Sequence, residues 1–236
     1  MDCEWMERRL GLHTPTKPRW QRIKGTHTRF HGWRYTNYSK IIYADPDYLL
    51  MSNIDELFEI GADYGTSPVR RPGLMYFKFS AGFSVFRPDL HHYESIMNLW
   101  ESIAKEKDPS DITSDSCWDD EAVLNYYFSS IGKLYQISYA YNPQRVVYQP
   151  VRAFHFACCS PQKPWRDRNN CRPSRVEAEL YDKPVTNVQQ ASMVFWKVLY
   201  TALKTYDIDK IWWRKTRYFD ASKEFGKHRY EECWTD

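Results

Sequence analysis

The sequence predicts an α/β domain with a mixed central sheet. Three observations carry this. Short apolar runs of strand length alternate with segments whose apolar residues recur at helical spacing. Prolines close two of the runs, at Pro46 and Pro88, where a residue without an N–H cannot continue a ladder. A chain of 236 residues with 42% hydrophobic content is long enough to bury one sizeable core.

Residues 1–27 are polar and basic, carry Pro15 and Pro18, and read as an irregular amino-terminal segment. Ile41-Ile42-Tyr43-Ala44 is an apolar run that predicts a buried strand. It stops at Asp45-Pro46-Asp47, because proline disfavours helix at the residue before it and ends the ladder. Asn53–Phe58 reads as a short helix, and Ala81–Phe86 as a second strand. Asp89 can cap a helix whose Leu90, Tyr93, Ile96, Met97, Trp100, Ile103 and Ala104 make one apolar face. Asp119–Ser130 predicts another helix, with Val123, Leu124, Tyr127 and Phe128 apolar. Leu134–Tyr139 alternates as a strand, and Phe154-His155-Phe156 is a short strand. Residues 166–186 look like loop, and Met193–Tyr206 predicts a late helix. The organisation is therefore an irregular segment 1–27, a core 28–165, and a helical and irregular extension 166–236.

Composition excludes several classes. Charged residues make up 27% of the chain for a net charge of +3, and the basic residues are scattered among acids. That gives no footprint for nucleic acid. The most apolar stretch, Ala191–Leu203, is too short to cross a bilayer and contains Lys197, so no transmembrane segment is predicted. Met1-Asp2-Cys3-Glu4 has neither the basic flank nor the apolar run of a signal peptide. The one glycosylation sequon, Asn37-Tyr38-Ser39, directly precedes an apolar strand, which argues against its use. Aromatics reach 17%, with 10 Trp and 18 Tyr, and fit either a sugar-stacking surface or an aromatic-rich core. Six cysteines permit disulfides without requiring them. His155, Cys158, Cys159 and Cys171 could be read as zinc ligands, but the adjacent Cys158-Cys159 pair lacks the usual ligand gap. A disulfide from Cys171 to Cys158 or Cys159 is the better reading if the protein is secretory.

Asp45-x-Asp47 carries the chemistry. Two carboxylates one residue apart at a strand end can converge on a hard divalent ion, and such an ion can hold diphosphate oxygens. Ligand sites of α/β folds lie at such strand ends. Alone, such a pair is most often solvated loop charge.

Its surroundings change that. The whole stretch from Tyr38 to Phe58 resembles the metal-binding segment of glycosyltransferase family 8, the family of the glycogenins and plant xylan glucuronosyltransferases. Thr28-Arg29-Phe30-His31-Gly32-Trp33 is similar to the family segment just upstream. Phe79-Ser80-Ala81-Gly82-Phe83-Ser84-Val85 resembles its Phe-Asn-(Ala/Ser)-Gly strand. Asp120-Glu121-Ala122-Val123-Leu124-Asn125 resembles its Asp-Gln-Gly-x-Leu-Asn helix start. His155-Phe156 followed by Lys163-Pro164-Trp165 resembles its His-(Phe/Tyr)-x-x-x-Lys-Pro-Trp loop. The matches run in order from Thr28 to Trp165.

The resemblance implies a nucleotide-diphospho-sugar transferase fold of the GT-A type. It implies transfer of a hexosyl or glucuronosyl group from a nucleotide sugar, UDP-linked, to a carbohydrate or protein hydroxyl, with retention. Mn²⁺ or another divalent cation would sit on Asp45, Asp47 and His155. Donor contacts would come from Arg29, Asp45, Ser80, Ala81, Gly82, Asp120, Glu121, His155 and Lys163, with Asp120 and Lys163 acting in catalysis. The chemistry is coherent, since a diphosphate leaving group needs its charge neutralised by the ion, Lys163 and Arg29. Outside the resemblance, Asp120 could be an ordinary helix cap and His155 a structural histidine.

The chain departs from the family pattern at Ser80, at Glu121-Ala122, at Cys158 and in a longer His-to-Lys loop that includes Pro161. Two other classes stay open: a non-catalytic relative that binds carbohydrate or a protein partner, and a metal phosphohydrolase using the same aspartates. The stretch Tyr141–His155 offers only Tyr148 beyond Tyr141, so self-glucosylation of the glycogenin kind is not expected. Residues 1–27 hold no apolar run of strand length where family members hold the nucleoside. The expectation is therefore a chain lacking the first strands, with weak UDP binding. Any targeting segment would be lost with them, leaving cytoplasm and Golgi lumen equally open. The sequence indicates no oligomeric state.

Overall fold

The computed structural model of the chain describes residues 26–68, 79–106, 120–144, 146–157, 163–165 and 173–206. The readings of residues 1–25 and of all six cysteines fall outside them. The described elements, in chain order, are a 3-10 turn Thr26–Arg34, β1 Ile41–Ala44, β2 Tyr48–Leu50, a 3-10 turn Asp55–Glu59, β3 Tyr64–Pro68 and β4 Phe79–Phe86. There follow α1 Leu90–Glu106, α2 Asp120–Ser130, β5 Leu134–Gln136, a 3-10 turn Tyr139–Tyr141, β6 Ala153–His155, α3 Arg175–Glu179 and α4 Val188–Thr205. They form two compact units. The first holds the described residues up to Asp45 and those from Ile54 to Tyr139. The second holds Pro46–Asn53 and the described residues from Ala140 on.

The first unit is a mixed α/β layer. Its sheet runs β1-β4-β3-β5, antiparallel except for the parallel β3–β5 pair. β1 lies at one end of that order, and its residues are half-buried with Ala44 exposed, not buried as its apolar run predicts. The buried strand is β4, seven of whose eight residues are inaccessible. Asp89 caps α1 as expected, its Oδ1 accepting from His91 N at 2.7 Å. The apolar face of α1 (Ile96, Met97, Trp100) and that of α2 (Val123, Leu124, Tyr127, Phe128) close over Phe30, Trp33, Tyr64 and Phe86. Much of the aromatic content therefore goes into packing. Trp33 stacks on Phe86 at 4.1 Å and on Phe128 at 5.7 Å, with Tyr64 at 5.9 Å.

That stack explains Gly32. A Cβ there would stand 2.8 Å from Phe86 Cζ, a ring already held by Trp33. Gly32→Ala should therefore destabilise the protein by about 1–3 kcal/mol, the usual cost of overpacking. Urea denaturation checks this: an unchanged midpoint would mean that the Phe86 ring yields freely.

β3 and β4 lose register between Thr66 and Ser67. Thr66 pairs with Ser84, whereas Ser67 pairs with Ser80. The intervening Ala81-Gly82-Phe83 bulges out of the ladder, as strands often do beside functional sites. The buried Thr66 hydroxyl fills the gap against the Ser80 and Phe83 carbonyls, 3.0 Å from the latter. Asp45 N donates to Gly82 O at 2.8 Å, so the end of β1 is tied to the bulge.

In the second unit β2 and β6 pair antiparallel, with Tyr48 opposite His155. Leu49, Phe154 and Phe156 pack with Val185 and Ala191. α4 begins at Val188, earlier than its apolar run suggests, because Asn187 caps it by accepting from Gln190 N at 2.9 Å. Residues 166–186 are not wholly loop. Ser174 and Glu177 form a reciprocal capping box that starts α3. β5 ends at Gln136, short of the expected Tyr139, where the chain turns into a 3-10 segment. No described helix is long and apolar enough to cross a membrane.

Candidate metal and donor site

β1 delivers Asp45 at its end, where Pro46 breaks the strand as expected. Asp45 Oδ1 accepts from Arg29 Nη2 at 3.0 Å and from Tyr43 Oη at 2.7 Å. The same guanidinium sets Nε 2.6 Å from Asp120 Oδ2, in ion-pair rather than hydrogen-bond alignment, and Nη1 donates to Ala81 O at 2.6 Å. Arg29 is 9% exposed and Asp120 6%, so this is a buried charge cluster. Burial alone would lower the Arg29 pKa, but Asp120 and Asp45 outweigh it and raise the value, which keeps the cation fixed. Tyr43 has its pKa raised, first by burial, and stays a neutral donor to Asp45.

The bulge supplies the next contacts. Ala81 N donates to Glu121 Oε2 at 3.0 Å, so Ala81 meets Glu121 through its N–H and Arg29 through its carbonyl. Asn125 Nδ2 donates to Phe79 O at 2.7 Å and ties α2 to the start of β4. Ser80 is buried, with Oγ 3.3 Å from Gly82 N. Arg29, Asp45, Ser80, Ala81, Gly82, Asp120 and Glu121 thus converge in the first unit.

Asp47 follows Pro46 and opens β2. Its Oδ1 lies 3.2 Å from His155 Nε2, and its Oδ2 pairs with Lys163 Nζ. Phe156 N donates to Asp47 O at 2.9 Å, so β6 fixes the backbone of the aspartate as well. Lys163 stands 5.5 Å from the centre of the Trp165 ring, within cation–π range. Only Pro46 separates Asp47 from Asp45 in the chain, and Asp47 and His155 face each other within the second unit. Donors held about 2.0–2.6 Å from one cation stand roughly 3–4.5 Å apart, and Asp47 and His155 are at that spacing. Two carboxylates and an imidazole suit a hard or borderline divalent ion, and the residues fit the expected group.

Burial alone would raise the Asp47 pKa, but hydrogen bonds from His155 and Lys163 outweigh it and bring it from 3.8 to about 2. The folded value lies below the unfolded one. The stability this carboxylate contributes is therefore complete above about pH 4 and is lost as the pH falls toward 2. Urea midpoints measured across that window should fall less steeply for Asp47→Asn than for the unaltered chain. Parallel curves would remove Asp47 from the acid response.

No protein-family model matches the chain. Human (Homo sapiens) glycogenin-1 is 27% identical over 190 residues, which cover 75% of this chain and 49% of glycogenin-1. Galactinol synthase 1 of Solanum lycopersicum is 26% identical over 163 residues, 57% of this chain and 47% of the synthase. The chain is a homologue of glycogenin and galactinol synthase. The resemblance to glycosyltransferase family 8 read from the motifs is borne out by these relatives. The chain spans about half the length of the curated relatives it matches. Among solved structures, the glycosyltransferase GlyE of Streptococcus pneumoniae TIGR4 aligns over 88% of this chain and 55% of its own, with TM-score 0.49 and 14% identity.

Motif reasoning missed several residues that build the site. Tyr43 supports Asp45, Thr66 holds the bulge, and Tyr48 and Asn142 hold His155. Tyr43 lies inside the matched segment but carries no motif signal. Thr66 and Asn142 stand outside every matched segment.

Proposed function

We propose that the chain is the catalytic region of a metal-dependent glycosyltransferase that moves a sugar from a nucleotide donor, UDP-linked, to a hydroxyl acceptor with retention. The observation that carries it is the pairing of Asp47 with His155, one proline past Asp45 at the end of β1, in a homologue of glycogenin and galactinol synthase. A divalent ion held there, Mn²⁺ by choice, would supply Lewis-acid stabilisation of charge on the departing diphosphate.

The chain's own groups divide the remaining work. Asp47 offers one oxygen toward His155 and the other to Lys163, so Lys163 stands ready to meet phosphate oxygens. Arg29 is engaged with Asp45, Asp120 and Ala81, and its part is to hold those groups rigid. Asp120 and Glu121, with the peptides of Ala81 and Gly82, present acceptors and donors suited to sugar hydroxyls.

Turnover of a panel of nucleotide sugars, with and without Mn²⁺ and with and without acceptor sugars, tests the proposal. The expected result is donor consumption that needs the ion and quickens with an acceptor. Metal-dependent phosphate release with no glycoside formed would indicate a phosphohydrolase instead. Donor or carbohydrate binding with no turnover would indicate a non-catalytic relative.

A further inference from the structure

The two ring nitrogens of His155 meet different groups. Nε2 faces Asp47 Oδ1 at 3.2 Å, and Nδ1 stands 3.1 Å from Asn142 Oδ1. Asn142 is fully buried, and its own Nδ2 has no hydrogen-bond partner. A buried amide in this state turns its acceptor to the ring and leaves its donor unsatisfied, which costs stability. Turned over, the amide would offer Nδ1 a donor. The ring proton would then move to Nε2 and block the lone pair an ion needs.

We propose that Asn142 is a positioning residue: its Oδ1 holds His155 as the Nδ1–H tautomer and so aims the Nε2 lone pair at the metal site. The proposal rests on the metal reading above. An imidazole ligand must present a bare nitrogen, and the hydrogen bond made by its other nitrogen decides which one is bare. Asn142 is the middle of three consecutive residues that all grip the same histidine. Tyr141 O accepts from Tyr48 Oη at 2.7 Å, and the Tyr48 ring lies against the His155 ring with centroids 4.7 Å apart. Pro143 O accepts from His155 N at 3.0 Å. Ring plane, ring proton and backbone are thereby set by residues 141–143. Gln144 Nε2 also approaches Nδ1, but at 3.4 Å and from a half-exposed side chain, and an amide nitrogen makes no bond to a ring N–H.

Two measurements on the whole chain test this. In ¹⁵N-histidine spectra of metal-free Asp47→Ala protein, in which no carboxylate competes for the ring proton at Nε2, neutral His155 should be the Nδ1–H tautomer. Asn142→Leu should lose that preference, whereas Asn142→Asp, which keeps an acceptor, should retain it. An Nε2–H tautomer in Asp47→Ala, or an unchanged one when a folding Asn142→Leu is added to it, would overturn the proposal. Titration with Mn²⁺ followed by electron paramagnetic resonance should show about 10- to 100-fold weaker binding in Asn142→Leu and near-normal binding in Asn142→Asp. Equal weakening in both would also overturn it. If Asp47→Ala shows the Nδ1–H tautomer but the unaltered protein shows no Mn²⁺ binding, the metal reading fails while the hold of Asn142 on the ring stands.

Discussion

Asp47→Asn is expected to cut metal-dependent donor turnover by about 100- to 1,000-fold, the loss seen when a group that stabilises transition-state charge is removed. The change keeps the shape of the side chain and deletes its charge. It therefore removes an anionic ligand for the ion and the partner of both His155 and Lys163 at once. Mn²⁺ affinity should fall with turnover, because His155 and Asp45 alone leave the cation short of ligands. Asp63→Asn serves as the control. Asp63 is another partly buried aspartate, paired with Lys133 at 2.6 Å, and belongs to no part of the candidate site. Initial rates with a UDP-sugar, compared at saturating Mn²⁺ and along a Mn²⁺ titration, give the answer. An Asp47→Asn protein within a few-fold of the unaltered one, with the same metal dependence, would move the metal off this aspartate.

The legible part of the fold was the part written in single-period apolar patterns. α1 and α2 present unbroken helical faces, and both were found within a residue or so. Asp45 at a strand end was legible because proline imposes the break locally, whatever the tertiary context. β3 was not legible. Its Tyr64-Gly65-Thr66-Ser67-Pro68 has no apolar alternation, yet four of its five residues are buried. Gly65 sits there because a Cβ would meet Val85 Cγ1 at 2.9 Å, and Thr66 because its hydroxyl serves the bulge. Both reasons lie in the partner strand and neither in the sequence window. β2, of three residues, is a strand only because β6 pairs with it. α3 carried a local sign in Ser174-x-x-Glu177, outweighed by the proline- and cysteine-rich surroundings. In the site, Asp45, Asp47 and His155 were each reachable from motif order, but Asn142 was not: a lone asparagine gives no spacing to read.

Arg29 shows how far a role can differ from a nearby position, and it gives the largest expected effect on stability. Its resemblance to a donor-side basic residue suggests a phosphate contact. The structure surrounds the guanidinium with Asp45, Asp120 and the Ala81 carbonyl at 2.6–3.0 Å. Arg29→Met should cost about 3–5 kcal/mol, because breaking a buried pair from one side leaves an uncompensated charge. Asp120 would bear most of it, being 6% exposed where Asp45 is 22% exposed. Adding Asp120→Asn should recover part of the loss, since the second change removes the stranded charge that the first created. Urea denaturation of the two single variants and the double variant closes the cycle. A loss below about 1 kcal/mol for Arg29→Met would be the figure for a solvent-screened pair, and would place the guanidinium in water, free to reach a donor phosphate after all.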